Sequence, residues 1–200
     1  MERQQELEYG NKARFNHLHA IGKHIEDVLR EKIGLDLVQV ENPTRTESDT
    51  ITEDVQDGQD IIIRVKKGVE WNDVFYVEVK SKWNFTEPAH MSTRQVRMAA
   101  LHPDEYALCC VDLRKHKDED LARLPAETII VCTRVKMGIG NILNPMVKAI
   151  LEADDRSDDE QIKISEYRSN MGAKIFEIGE PLEVLLDTIE NKIKTLIEES

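Results

Sequence analysis

Two apolar, β-branched runs separated by a polar turn constrain the fold more than any other part of the sequence. The runs are DIIIRVK (60–66) and VFYVEVK (74–80), and KGVEWND (67–73) lies between them with glycine and asparagine as turn-forming residues. Runs of this length and composition favour strands, and polar residues with glycine favour a turn. The sequence therefore predicts a β-hairpin over residues 60–80.

The register of this hairpin decides which side chains meet, because side chains alternate between the two faces of a strand. The simplest register is centred on residue 70 and places Asp60 opposite Lys80, and Ile62 opposite Glu78. Glu78 and Lys80 then share one face with Tyr76. Asp60 lies on the same face, with Glu78 as its diagonal neighbour about 7–8 Å away at the backbone. The hairpin therefore predicts a cluster of two carboxylates and one lysine.

Two carboxylates beside a lysine are the residue types that metal-assisted hydrolysis of phosphate esters requires. Mg²⁺ prefers oxygen ligands and takes one or two carboxylates together with water and substrate phosphate. The metal activates a bound water and neutralises charge on phosphate, and a nearby lysine can stabilise the same charge. The alternative is a cross-strand ion pair in which Glu78 and Lys80 only stabilise the hairpin. Both interpretations stay open at this stage.

The remaining pattern predicts helices and further strands around the hairpin. In chain order we expect a helix at 11–33 ending at Gly34, a strand at 35–41, a loop at 42–59, a helix at 92–102 with a Ser92–Gln95 capping box, strands at 105–113 and 127–135, a helix after Pro145, short strands within 163–179 and a helix at 181–199. This order predicts an α/β or α+β fold with a central mixed sheet flanked by helices.

We divide the chain into a core at 1–150, an acidic loop at 151–162 and a C-terminal extension at 163–200. The extension, with short strands and the last helix, is expected to pack on the core. The last helix carries a continuous apolar stripe, so it is also a candidate docking or dimer surface.

The acidic charge of the chain restricts its partners. The net charge is −12, which argues against a general nucleic-acid binder, since phosphate contacts favour a basic surface. Much of this charge is concentrated in 152–160 and in 177–200. Residues 80–97 contain four cationic side chains and a single glutamate. Lys82, Arg94 and Arg97 are therefore candidate nucleic-acid contacts.

Targeting signals and membrane spans are not expected in this sequence. No apolar run approaches the ~20 residues that cross a bilayer, and residues 1–15 are polar, unlike a signal peptide. Three cysteines without a CxxC pair predict reduced thiols. We expect a cytoplasmic protein without membrane contact.

Five segments of the sequence carry a recognisable order of motifs: IGKHIEDVL (21–29), QDIIIRV (59–65), FYVEVKSK (75–82), STRQVRMA (92–99) and EYALCCVDL (105–113). Together they resemble the PD-(D/E)xK nuclease superfamily, in particular the nuclease-like domain at the C-terminus of plant NO VEIN proteins and in many bacterial proteins. The resemblance spans roughly residues 15–135 and implies a restriction-endonuclease-like fold. Gln59 stands where the superfamily has the proline of its name.

The resemblance implies roles for five residues. Asp60 and Glu78 correspond to metal ligands for Mg²⁺ or Mn²⁺, and Lys80 corresponds to the catalytic lysine. Glu26 matches a glutamate that many relatives place beside the metal, and Gln95 matches a polar position near the site.

Two of these residues have structural alternatives. Glu26 could instead pair with Arg30 on the same helix face. Gln95 could be only the capping-box partner of Ser92.

The function implied by the resemblance is a magnesium-dependent nuclease that cuts DNA, with RNA as a second substrate, within a bacterial restriction or defence system. Domains of this family often occur joined to ATPase or helicase modules, so such a partner is expected to supply DNA affinity. The first alternative is a catalytically silent nuclease-fold module that binds protein or nucleic acid. The second is a purely structural domain.

Overall fold

A computed structural model describes residues 2–40, 50–54, 59–67, 69–84, 88–157 and 167–198 of the chain. In chain order the helices and strands are α1 (Glu2–Val40), β1 (Thr50–Asp54), β2 (Ile61–Lys67), β3 (Glu70–Lys82), β4 (Ala89–Met91), α2 (Thr93–Leu101), β5 (Tyr106–Asp112), α3 (Ala126–Val131), β6 (Thr133–Met137), α4 (Ile139–Ser157), β7 (Ser169–Met171) and α5 (Leu182–Glu198). Short 3-10 turns occupy Arg114–His116, Leu121–Arg123 and Ala173–Phe176.

The central layer is a five-stranded sheet in the order β1-β2-β3-β5-β6. Strands β3 and β5 are parallel, with β4 and α2 between them in sequence, and the other neighbouring pairs are antiparallel. Strands β4 and β7 form a separate two-stranded sheet. The predicted fold class, a mixed sheet flanked by helices, is confirmed.

Each face of the large sheet carries its own apolar layer. One layer joins alternate residues of the sheet to α1 and α5, and it includes Ile25, Phe75 and Ile189. The other layer joins the opposite face to α2, α4 and β7, and it includes Tyr106 and Phe176. The last helix therefore packs on the core of its own chain.

The register of the hairpin differs from the prediction by two residues. Ile62 pairs with Tyr76 rather than with Glu78. The pairing of β2 with β3 continues as far as Lys67 and Glu70. The turn that joins them is therefore much shorter than predicted. An irregularity between Ile63 and Arg64 leaves an extra residue in β3, which is a β-bulge. Because a shift of two residues preserves the alternation, the predicted face of each side chain near Glu78 is still correct.

The N-terminal helix is longer than predicted, and Gly34 does not end it. Residues 35–40, predicted as a strand, continue α1. A Cβ added at Gly34 would lie 3.1 Å from the Thr52 hydroxyl, so this glycine allows β1 to approach the helix closely. Strand β1 itself lies within the segment predicted as a loop.

Three C-terminal predictions are also wrong in part. Residues 126–131 form α3, so only the second half of the strand predicted at 127–135 is present. Helix α4 begins at Ile139 and contains Pro145 in its interior rather than following it. It extends to Ser157, so the acidic run is helical as far as that residue, and 158–162 lie outside the described residues.

No helix within the described ranges combines the length and the apolarity that crossing a membrane requires.

Candidate functional site

The Asp60 carboxylate is fixed at the point where the chain enters β2. The Asp60 backbone N–H donates to the Val77 carbonyl at 3.0 Å, next to the Ile61–Val77 pair of the hairpin. Its Oδ2 accepts a hydrogen bond from the Val79 backbone N–H at 2.7 Å. Both contacts are to the backbone on either side of Glu78. The hairpin therefore holds the Asp60 carboxylate next to Glu78.

Glu78 occupies the middle of β3 and is completely buried. Its Oε1 accepts hydrogen bonds from the Lys80 ammonium and from the Gln95 side-chain amide, the latter at 2.5 Å. Its Oε2 is also buried and, within the part of the chain that is described, has no hydrogen-bond partner. A buried carboxylate oxygen without a partner is costly, because the desolvation of a charged acceptor is not offset.

The electrostatics of Glu78 follow from this position. Burial, together with the nearby negative charge of Asp60, raises the pKa of Glu78 to about 8, although Lys80 opposes both effects. Two carboxylates that repel each other in a buried position are stabilised by a divalent cation, which favours the ionised form of both. The donor set of Asp60 and Glu78 therefore fits Mg²⁺ or Mn²⁺.

Tyr106 is a neighbour of Glu78 that the sequence pattern did not reveal. Strand β5 runs parallel to β3 and pairs Tyr106 with Tyr76, which places its fully buried side chain on the Glu78 face. The pKa of Tyr106 is raised by burial and by the negative charges of Glu78 and Asp60. Tyr106 therefore remains a neutral phenol beside the carboxylates. Its only sequence signal is its position at the start of an apolar strand.

Gln95 takes part both in the capping box with Ser92 and in the carboxylate cluster, the two alternatives that the sequence leaves open. Its Oε1 accepts from the Ser92 backbone N–H at 2.8 Å, and the Ser92 hydroxyl accepts from the Gln95 backbone N–H, which completes the predicted capping box. The same amide donates through Nε2 to Glu78. The start of α2 is thereby tied to the carboxylate cluster.

Glu26 is not part of a three-carboxylate metal group. No set of three or more His, Cys, Asp and Glu side chains suited to a metal is present among the described residues. Glu26 lies half-buried on α1, the helix that packs on the sheet face opposite to Glu78. Arg30, its alternative partner, forms an ion pair with Asp27 at 2.8 Å. The role of Glu26 stays a prediction.

The three predicted nucleic-acid contacts lie in different environments. Arg94 is exposed at the start of α2. Arg97 is exposed as well, but its Nε donates to the Tyr167 hydroxyl at 3.0 Å. Lys82 lies at the end of β3 and is only 6% exposed, and its contact with nucleic acid stays a prediction.

Comparison with known proteins assigns the chain to a family. Residues 16–122 match the family model described as Protein NO VEIN, C-terminal. The chain belongs to this family. No curated protein and no solved structure matches the chain. The matched region of the NO VEIN C-terminal family contains most of α1, the whole hairpin, α2 and β5, and with them every candidate site residue. The wider resemblance to the PD-(D/E)xK nuclease superfamily stays a prediction.

Proposed function

We propose that this member of the NO VEIN C-terminal family is a metal-dependent nuclease domain that hydrolyses DNA phosphodiester bonds. The observation that carries the proposal is the buried Glu78 carboxylate, which has an unpartnered Oε2 and lies next to Asp60. A purely structural pair of Glu78 and Lys80 would not require a second carboxylate beside it. Repulsion between two acids is retained where a cation or a proton offsets it.

The roles of the side chains follow from their contacts. Asp60 and Glu78 would hold Mg²⁺ or Mn²⁺, which activates water and neutralises charge on the reacting phosphate when bound. The Val79 N–H and the Gln95 amide orient the two carboxylates. Lys80 forms an ion pair with Glu78, and its ammonium group can stabilise the additional negative charge of the phosphate.

The acidic surface suggests that DNA affinity comes in part from another protein. A net charge of −12 opposes the approach of a polyanion. A partner with ATPase or helicase activity, in a bacterial defence system, would supply the missing affinity and choose the substrate. The site would then act in the cytoplasm, with DNA as the first substrate and RNA as the second.

A second candidate function is a nuclease-fold module that binds without cleaving. It is favoured by the contacts of Glu78 Oε1, which is already occupied by Lys80 and Gln95. The raised pKa of Glu78 also weakens it as a ligand, because a proton competes with the metal for this carboxylate.

The decisive experiment is incubation of the full chain with single- and double-stranded DNA and RNA in Mg²⁺ or Mn²⁺. We expect cleavage by the wild type, and a rate at least about 100-fold lower in Glu78→Ala and Lys80→Ala. Lys194→Ala is the matched control, because it removes the lysine of another Glu–Lys pair on the exposed side of α5. Cleavage that is absent in the wild type, or equal in all variants, contradicts the proposal.

Thermal unfolding separates metal binding from catalysis. A ligand that binds only the folded state at about 100 times its Kd stabilises by about 2.7 kcal/mol, which for 200 residues raises Tm by about 5–10 °C. We expect this rise with Mg²⁺ or Mn²⁺ in the wild type and not in Asp60→Asn. A shift without cleavage would favour the silent module.

A further inference from the structure

The face of the hairpin that carries Glu78 continues beyond the site towards the hairpin tip. The bulge leaves Val74 unpaired, and Val74 and Phe75 both enter the layer against α1 and α5. This extra residue reverses the alternation along β3. Asp73 therefore lies on the same face as Tyr76, and its Oδ2 accepts from the Tyr76 hydroxyl at 3.2 Å.

Strand β2 supplies the second half of this row. Arg64 pairs with Asp73, and the Arg64 Nε donates to Asp73 Oδ1 at 2.6 Å. The next pair on the same face is Lys66 with Trp71. Lys66 is exposed, and Trp71 is 42% exposed although it is a large aromatic side chain. We call Lys66 and Trp71 together the hairpin-tip surface.

The hairpin-tip surface is in line with the carboxylate cluster. Trp71 and Glu78 are seven positions apart in β3, which corresponds to about 20–24 Å at the rise of an antiparallel strand. The side chains between them on this face belong to the Arg64–Asp73 and Ile62–Tyr76 pairs, and Tyr76 is buried against the His102 ring. Trp71 and Glu78 both belong to β3, so a single strand fixes their relative position.

We propose that the hairpin-tip surface binds an unpaired segment of the nucleic-acid strand whose scissile phosphate lies at Glu78 and Lys80. Trp71 stacks on a base, and Lys66, directly across the hairpin, contacts a phosphate. Stacking on an aromatic side chain requires a base that is not paired, so the surface selects single-stranded or frayed substrates. This inference rests on the proposed function, because it takes the carboxylate cluster as the point of cleavage.

Nucleic acid fits this surface better than a protein partner does. A cation directly opposite an aromatic side chain matches the alternation of phosphate and base along a single strand. The surface also lies on the same face of β3 as Glu78. An apolar protein interface would instead require a wider patch of apolar side chains than one tryptophan.

The test is a titration of the full chain with single-stranded oligothymidylate in EDTA, which prevents cleavage, followed by tryptophan fluorescence. The chain has two tryptophans, and Trp83 packs partly buried against the core, so Trp71 should report stacking. We expect quenching in the wild type and its loss in Trp71→Phe. Trp71→Ala should weaken binding about 5- to 100-fold. Lys66→Ala should reduce the dependence of log K on log salt concentration by about 1.

The control is Phe15→Ala, which removes an exposed aromatic side chain from α1. It should leave both quenching and affinity unchanged, and urea unfolding of each variant should show that the hairpin remains folded. Trp71→Tyr retains a stacking ring and should restore most of the affinity. Unchanged binding of the oligonucleotide by Trp71→Ala overturns the inference. Equal losses of affinity for Phe15→Ala and Trp71→Ala overturn it as well. So does a Trp71 substitution that weakens the binding of a protein partner and not of the oligonucleotide.

Failure of this inference and failure of the proposed function give different results. Cleavage by the wild type with normal binding by Trp71→Ala would retain the nuclease and remove the surface. Quenching without cleavage in Mg²⁺ would retain the surface as a binding site and remove the nuclease.

Discussion

The side-chain amide of Gln95 contacts two parts of the chain that are far apart in sequence. Its oxygen caps the start of α2 through Ser92, and its nitrogen holds Glu78 on β3. Since both contacts use the same planar group, the orientation that completes the capping box also fixes the orientation of the donor towards the carboxylate. A local folding signal thereby positions a residue of the candidate site.

Replacing Gln95 and Ser92 separately distinguishes these two roles. Ser92→Ala and Gln95→Ala should each lower the free energy of unfolding by about 1 kcal/mol, because each removes part of the cap. Only Gln95→Ala should also weaken the response to Mg²⁺, since it alone removes a hydrogen bond to Glu78. Urea unfolding with and without Mg²⁺ measures both effects, and an equal Mg²⁺ response in the two variants would contradict this prediction.

Residues that meet within one hairpin could be predicted from the sequence, and residues that meet through a parallel pair could not. Asp60, Glu78 and Lys80 were placed on one face because alternation is local to the two strands. Tyr106 reaches Glu78 only through the register of β5 against β3, which depends on how β4 and α2 cross between them. No local pattern encodes that register.

At the scale of elements, the hairpin, α2 and β5 could be predicted from the sequence, whereas β1 and α3 could not. The capping box located the start of α2, and alternation located the hairpin. The bulge in β3 gave no signal, because Val74 and Phe75 are apolar like their neighbours and both are buried. The sequence predicts a helix end at Gly34, whereas the lack of a side chain there permits close contact with Thr52 of β1. Tertiary contacts decided these cases.

The packing of α2 against α4 gives a prediction at this scale. A Cβ added at Gly140 would lie 2.0 Å from the Ala99 carbonyl oxygen and 2.5 Å from the Pro103 Cα. Because backbone atoms cannot move aside cheaply, Gly140→Ala should separate the two helices. We expect a loss of about 1–3 kcal/mol, as for an overpacked core.

Gly172 provides the matched control for Gly140. A Cβ at Gly172 meets nothing within 4 Å, so Gly172→Ala should be neutral or should stabilise by up to about 1 kcal/mol through the unfolded chain. Urea unfolding compares the two variants. Equal stability of Gly140→Ala and Gly172→Ala would show that α4 adjusts to the added methyl group.

At the scale of the whole molecule, ion pairs connect the strands of the core to the C-terminal segment. The Arg114 guanidinium donates to Asp112 at the end of β5, at 2.8 and 2.6 Å, and to Glu177 after the last 3-10 turn at 2.7 Å. The hydrogen bonds from Arg114 lower the pKa of Asp112 below its ordinary value of 3.8. The ionised form of Asp112 is therefore part of the folded state.

This lowered pKa predicts a dependence of stability on pH. The stabilisation is fully present above pH 3.8, the ordinary pKa of the unfolded chain, and is lost as pH falls through the lower pKa of the folded state. Asp112→Asn should cost about 1 kcal/mol at pH 7, and this difference should shrink in more acidic solution. Urea unfolding from pH 7 to pH 3 measures it. Asp118→Asn, which changes an exposed aspartate in the same connection, should show no such trend.

The apolar layer that contains Tyr106 and Phe176 limits where the chain can be shortened. The family match ends at residue 122, so a fragment cut there would retain every candidate site residue. It would lose β6 from the sheet, α4 and β7 from the layer behind Glu78, and α5 from the opposite layer. The end of the family match is therefore not the end of the folded unit. A transplanted hairpin and α2 alone would expose both faces of the sheet and be insoluble, so any fusion protein must carry the chain as far as α5.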